Sequence, residues 1–305
     1  MLQSTLGGVM CRYVNQFIVL NNESIADTIV NQERMESMIR TICRSALLAC
    51  TLTSSIALAL DAGAESVENY SGCGCSSGNL RYTHDQASRF IDRIDNWHTR
   101  KFWFADGNAW NSDLVEMDLN VGGTDDYYGD GVHILFISGH GGYSGGYYYG
   151  YLCKSAGYNS CSYSTSRTYL GENAGQAYST NTGKLRFLIL ATCHSVEKSS
   201  ASSEWGPVFW RGKDLMYVMG YSGTSEDSEN TDEVGEEFAQ YAAGDKKTLK
   251  QSWFDAAREA FSSDVPALIT HGTSQADANS RRDNMKLSWT PTGNSPSWVA
   301  WSWKD

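Results

Sequence analysis

The chain has 305 residues and a formal net charge of −11, from 24 Lys and Arg against 35 Asp and Glu. This acidity, without a basic stripe, excludes the usual electrostatics of nucleic-acid binding and of attachment to an anionic membrane surface. With 41% apolar residues the chain can bury one substantial core.

The first distinct segment, MIRTICRSALLACTLTSSIALALDAGA, carries Arg40 and Arg44, then an apolar stretch from Ala46 to Leu60, then Ala62-Gly63-Ala64. That order predicts a secretory signal peptide over 38–64, cleaved after Ala64. Its apolar stretch is shorter than the roughly 20 residues a spanning helix requires. Residues 1–37 then read as an upstream extension, with translation starting at Met35 or Met38. Residues 1–64 hold 4 of the basic and 5 of the acidic side chains, so the remaining 241 residues carry 20 − 30 = −10 charges. The product would be secreted or periplasmic, with no membrane association after signal cleavage.

Residues 65–83, with the Gly/Ser stretch SGCGCSSG, read as a flexible N-terminal segment. Next, Ala87, Phe90, Ile91, Ile94 and Trp97 recur at spacings of three and four, which predicts an amphipathic helix capped by Thr83. KFWFA (101–105) reads as a strand ended by Asp106-Gly107. Val132 to Ser138 is a second strand, Leu185 to Ala191 a third and DLMYVMG (214–220) a fourth. Between them, residues 142–182, rich in Gly, Tyr and Ser, read as a long surface insertion. Helices are expected at 232–243 and 247–261, and further strands at PALITHG (266–272) and SWVAWSW (297–303). Strands separated by helices or long crossovers specify an α/β class with a mainly parallel sheet, in one domain over 84–305.

Past residue 64 five cysteines remain: Cys73, Cys75, Cys153, Cys161 and Cys193. An odd number in an oxidising compartment leaves at least one thiol unpaired. Cys153 and Cys161 flank a Gly- and Ser-rich turn that a disulfide closes easily. Cys73 and Cys75, one Gly apart, could pair with each other, pair with another chain, or stay reduced. Cys193 is the thiol left over.

Cys193 also stands directly after an apolar strand, in RFLILATCHSVEKSS, and His140 stands just past the preceding strand, in FISGHGG. In an open parallel sheet the carboxyl ends of the strands form the ligand crevice. If the two strands are neighbours, an imidazole and a thiol separated by 53 residues meet there. A nearby His takes the thiol proton and later supplies one to the leaving group. Gly141 lets the backbone approach a substrate closely, so that its N–H and that of Cys193 can face a developing oxyanion. His194, adjacent to Cys193 on an extended segment, points to the opposite face and reads as structural.

A strand followed by SGHG, and some fifty residues later a strand followed by CHS, resembles the caspase-like cysteine peptidases, nearest to metacaspases and bacterial exported relatives, over about residues 84–275. The resemblance implies a caspase-like three-layer sandwich, with a mostly parallel central sheet flanked by helices. It also implies a Cys193 nucleophile, a His140 base, an oxyanion hole at the Gly141 and Cys193 amides, and a peptide or protein substrate. Metacaspases carry an Asp two residues before the nucleophile that binds a basic substrate side chain. Here that position is Ala191, so preference for Lys or Arg does not carry over, and substrate binding would fall to Asp106 or to the loop Tyr221 to Asp227.

The residues also raise a second chemistry and a non-catalytic role. GYSGG (142–146) matches the elbow of serine hydrolases, with His271 as base and Asp264 or Asp277 as orienter, but Ser144 lies in a loop rather than at a strand-to-helix turn. A secreted binding module on a caspase-like scaffold is a further alternative. The acidic run SEDSENTDEVGEE (225–237) raises calcium, on which some caspase-like enzymes depend, yet its spacing is not that of an EF-hand, and negative charge before a helix N-terminus explains it without a metal. No resident cofactor and no metal site are expected.

Overall fold

The structure, a computed structural model, describes residues 59–116, 122–166, 168, 170–171, 183–212, 214–289 and 296–305. The extension at 1–37 and the signal-peptide segment up to residue 58 lie outside the described residues.

Short apolar runs bounded by turn residues give buried strands, since a strand covered on both faces has no polar side to show. Seven such strands form the main sheet: β1 (Asp61–Ser66), β2 (Thr99–Ala105), β3 (Ile134–Ser138), β7 (Phe187–Ala191), β8 (Tyr217–Tyr221), β9 (Pro266–Gly272) and β10 (Trp298–Trp303). Their order is β10-β9-β8-β7-β3-β1-β2. The five from β2 to β8 are parallel, and β9 and β10 each run antiparallel to the strand inside them. Between β3 and β7 in sequence, β4 (His140–Ser144), β5 (Tyr147–Tyr151) and β6 (Tyr163–Ser164) make a separate antiparallel sheet.

Alternation within the strands divides the core into two layers. On one face Ala64, Phe136, Ile189 and Met219 pack with α1 (Thr83–Ile94), α3 (Val234–Ala239) and α4 (Leu249–Ala260), through Phe90, Phe238 and Trp253. On the other face Leu135, Ile137, Leu188 and Val218 pack with Trp205 and Phe209 of α2 (Ala201–Gly212) and with Tyr148 of β5. A fifth helix, α5 (Gln275–Asn284), packs on β9 and β10. The result is an α/β sandwich with helices on both faces of a mostly parallel sheet, as the residue patterning requires. Thr83 lies inside α1 rather than capping it, and its hydroxyl donates to the Val67 carbonyl at 2.9 Å.

Three expectations need correction. Cleavage after Ala64 would cut through β1, whose Ala62, Gly63 and Ala64 pair with Ile134, Leu135 and Phe136 on one side and with Arg100, Phe102 and Trp103 on the other. The small residues are there for packing: the Phe102 ring occupies the space a Cβ on Gly63 would need. Residues 65–83 are not a loose leader, because Val67 and Tyr70 are buried and the segment is tied down by two disulfides. Those bridges are Cys73–Cys153 and Cys75–Cys161, not Cys153–Cys161: the two cysteines of SGCGCSSG each take one partner across the turn. Within the Tyr-rich stretch expected to be a surface insertion, Tyr148 and Tyr163 are core residues, and residues 172–182 lie outside the described residues. No described helix is long and apolar enough to cross a membrane.

Truncation tests the first correction. A chain starting at Glu65 loses the amino-terminal two thirds of β1 and is expected to show no cooperative thermal transition, whereas one starting at residue 58 unfolds cooperatively. Equal melting of the two by circular dichroism would show that β1 is dispensable.

Candidate active site at the carboxyl ends of β3 and β7

β3 and β7 are parallel neighbours in unbroken register, Ile134 opposite Phe187 through Ser138 opposite Ala191. His140 stands two residues past the end of β3, where it begins β4, and Cys193 two residues past the end of β7. The two backbones stay close beyond the strands, since a Cβ on Gly141 would collide with the Cys193 carbonyl oxygen and press on the Thr192 side chain. Only glycine fits there, and it is the residue the sequence supplies directly after the His.

Each half of the site is held from behind. The His140 N–H donates to the Tyr70 hydroxyl at 2.8 Å, and that hydroxyl donates to the Tyr151 carbonyl at 2.8 Å. The Tyr70 ring lies 4.7 Å from the imidazole, centroid to centroid. The imidazole Nε2–H donates to the Gly78 carbonyl at 2.7 Å. This bond selects the tautomer that leaves Nδ1 as the free acceptor. Gly78 lies just beyond Cys75, so the disulfides fix the carbonyl that orients the ring.

Cys193 is the one free cysteine among the described residues and is partly exposed. The Ser225 N–H donates to its sulfur at 3.4 Å, and the Ser225 hydroxyl lies 3.7 Å away. The Cys193 amide has no hydrogen-bond partner among the described residues. No hydrogen bond joins the His140 ring to the thiol among those residues. Contacts of this kind are often long before substrate arrives.

The rest of the CHS turn is held by internal hydrogen bonds, and His194 is not in the extended conformation expected of it. His194 adopts the left-handed region, φ 56°, which is unusual outside glycine. Its N–H donates to the Gly223 carbonyl at 2.6 Å, and its Nδ1 contacts the Glu197 carboxylate. The Ser195 hydroxyl donates to the Thr192 carbonyl at 2.9 Å and accepts from the Tyr221 N–H at 2.9 Å, and the Ser195 carbonyl accepts from the Trp205 indole at 2.8 Å. Beneath the turn, Glu204 accepts from the Glu197 N–H at 3.4 Å, and burial pushes its carboxyl up to about 8.

The residues expected to bind substrate are otherwise engaged. Asp106 accepts from the Glu68 and Asn69 amides, both at 2.8 Å, and Asp227 accepts from those of Arg81 and Tyr82 at 2.9 and 3.1 Å. Tyr221 is buried against Trp253, and Ala191 is buried in the core. Ser144 sits in the β4–β5 hairpin, closed by Gly145 and Gly146 at positive φ, not at a strand-to-helix elbow. His271 is buried in β9, donates Nε2–H to the Leu215 carbonyl at 2.9 Å, and is pushed down to about 4 by burial. In the acidic run, Asp227 holds the entry to α1, and Asp232 and Glu233 pair with Arg89 at 2.8 and 3.1 Å. No group of three or more His, Cys, Asp or Glu converges as a metal site among the described residues.

Sequence reasoning missed Gly78, Tyr70 and Ser225. A backbone carbonyl leaves no side-chain signature, and an isolated Tyr or Ser has no spacing to betray it. A family model described as "Domain of unknown function (DUF6345)" matches residues 64–304, and the chain belongs to that family. No curated protein matches it.

The buried acids give the fold a definite pH dependence. Glu204 at about 8, Glu237 at about 7, and Asp113 and Asp264 at about 6 are all raised, with burial the largest cause in each. A raised carboxyl contributes stability in full below its unfolded value, 4.5 for Glu and 3.8 for Asp, and loses it as pH rises through its folded value. Glu204→Gln is therefore expected to leave Tm nearly unchanged at pH 5 and to raise it at pH 8.5. A variant whose Tm falls in parallel with the parent over that range would contradict this assignment.

Proposed function

We propose that this DUF6345 protein is an exported cysteine endopeptidase of the caspase-like type, acting through Cys193 and His140. One observation supports the reading: β3 and β7 are paired in register up to Ser138 opposite Ala191, so His140 and Cys193 each stand two residues past neighbouring strand ends, and Gly141 packs on the Cys193 carbonyl. The α/β sandwich is of the kind that the resemblance implies. The two disulfides fit an oxidising destination, and the free thiol in such a chain is the one placed at the sheet's carboxyl edge.

The chemistry follows from the held groups. With Nε2–H committed to the Gly78 carbonyl, His140 Nδ1 takes the Cys193 proton, and the thiolate attacks the scissile carbonyl carbon. The carbonyl oxygen becomes an oxyanion, which the Cys193 amide and the neighbouring Gly141 amide stabilise. Collapse of the tetrahedral species expels the amine, which receives the proton from His140. Water, deprotonated by the same imidazole, then hydrolyses the thioester and frees the sulfur. Ser225 meets the sulfur before substrate arrives, so its amide and hydroxyl hold the nucleophile in the crevice rather than in the core.

Incubation with a mixed peptide library, read by mass spectrometry, tests the reading. Cys193→Ala is expected to lower turnover by at least about a thousandfold without shifting Tm. If Ser144→Ala does so instead, the serine-hydrolase reading replaces this one. If neither changes the products, the protein is a binding module.

The orienting role of Gly78 has its own test. Paired Cys75→Ser and Cys161→Ser substitutions free the segment that carries the carbonyl. They are expected to lower kcat about tenfold or more while KM changes little, because ring orientation matters in the transition state. An unchanged kcat in a folded variant would remove Gly78 from the mechanism.

A further inference from the structure

Along the outer edge of the sheet, far in strand order from β3, the fold leaves an unusual set of tryptophans exposed. Trp210 of α2 is 55% exposed and Trp298 of β10 is 51% exposed, with Trp301 and Trp303 also substantially so. An edge strand ordinarily discourages association with charged side chains or proline. β10, WVAWSW, has neither. Large exposed aromatic groups gathered at one place mark a contact surface.

The tryptophans line concave space. A groove of about 610 Å³ takes Trp210 and Ser202 from α2, Trp298 and Trp301 from β10, and Gln275, Asn279 and Arg282 from α5. A second hollow, of about 530 Å³, shares Ser202, Trp210 and Trp301 with it, so the two adjoin along the edge. Both volumes are in the range of small-molecule sites.

The lining selects the occupant. The Arg282 charge is already matched, since its Nε and Nη2 donate to the two Asp283 oxygens at 3.0 and 2.6 Å. The Lys198 ammonium is paired with Asp305 and lies 5.5 Å from the Trp303 ring centre. What remains is a charge-balanced trough of indole faces interleaved with hydroxyl and carboxamide groups. Among the described residues lining the trough, an anionic polymer finds no free cation and a cationic peptide no free carboxylate. A neutral carbohydrate chain fits: the C–H faces of pyranose rings stack on indoles, while ring hydroxyls exchange hydrogen bonds with Ser202, Gln275 and Asn279.

We infer that the Trp210–Trp298–Trp301 groove is a binding site for a neutral oligosaccharide or polysaccharide. The site lies outside the Cys193 crevice and does not depend on the peptidase reading.

The test uses the protein with Cys193→Ala, so that its outcome is independent of turnover. Cellohexaose, chitohexaose and mannohexaose are titrated separately while tryptophan fluorescence is followed, and binding is confirmed by calorimetry. At least one should give saturable quenching with a Kd between about 10 µM and 1 mM, and Trp298→Ala and Trp210→Ala should each weaken it at least tenfold with Tm unchanged. Both indoles are more than half exposed, so these substitutions spare the core. Isothermal silence with all three sugars overturns the inference. So does quenching that survives the Trp210→Ala, Trp298→Ala double variant, or saturable binding of an extended uncharged peptide where the sugars give none.

Discussion

The in-register parallel pairing of β3 with β7 is the constraint on which the rest depends. Five residue pairs fix the relative height of the two strands, so both chains leave the sheet at the same level. Parallel pairing also orients both carboxyl ends the same way, so segments far apart in sequence open on one lip. A slip of one residue would turn every side chain of the shifted strand to the other face, setting Leu188 and Leu190 where Ile189 belongs. The two-layer core forbids that slip, because each face is already filled by different helices. Register, core and site are thus one fact seen at three levels.

Placement alone does not orient an imidazole. Tyr70 grips the His140 backbone and the Gly78 carbonyl grips its ring, and both belong to the segment between β1 and α1. That segment has no regular structure of its own to hold it. It is fixed by the Cys73–Cys153 and Cys75–Cys161 bridges, which join it to the region following β5. The disulfides therefore do more than limit the entropy of the unfolded chain. They set the position of the one acceptor that determines which imidazole nitrogen is left free.

Much of this architecture is legible in the sequence because continuous apolar runs have one structural meaning when bounded by turns. Phe187–Ala191, Ile134–Ser138 and Pro266–Gly272 lie within the segments that patterning predicts, and so does the helix Leu249–Ala260. β1 escapes for the opposite reason. DAGAES has low intrinsic strand propensity and looks like the small-residue end of an export signal, but packing between β2 and β3 overrides local preference. α2 escapes because Gly206 and Pro207 interrupt its pattern. The disulfides escape because proximity in sequence favours Cys153–Cys161, while the fold brings a distant Cys-Gly-Cys arm between the two. His140, Gly141 and Cys193, the candidate site residues, stand out in the sequence because each follows closely on a strand end. The groups that hold them were not, because they act through backbone atoms or through a single isolated side chain.

The carboxylates around the crevice show why specificity is harder to read than chemistry. A pocket for a basic side chain needs an unspent negative charge. Asp106 and Asp227, the two acids the sequence offers, each accept from two consecutive backbone amides, and Asp264 takes the Glu226 amide on both oxygens. A carboxylate bound to two amides has satisfied much of its demand for solvation, and moving it to meet a substrate would leave those amides bare. These acids therefore shape the loops that frame the crevice rather than the charge inside it. On the proposed peptidase reading, recognition beside Cys193 would rest on the shape those loops impose and on neutral groups such as Ser225, which already meets the sulfur.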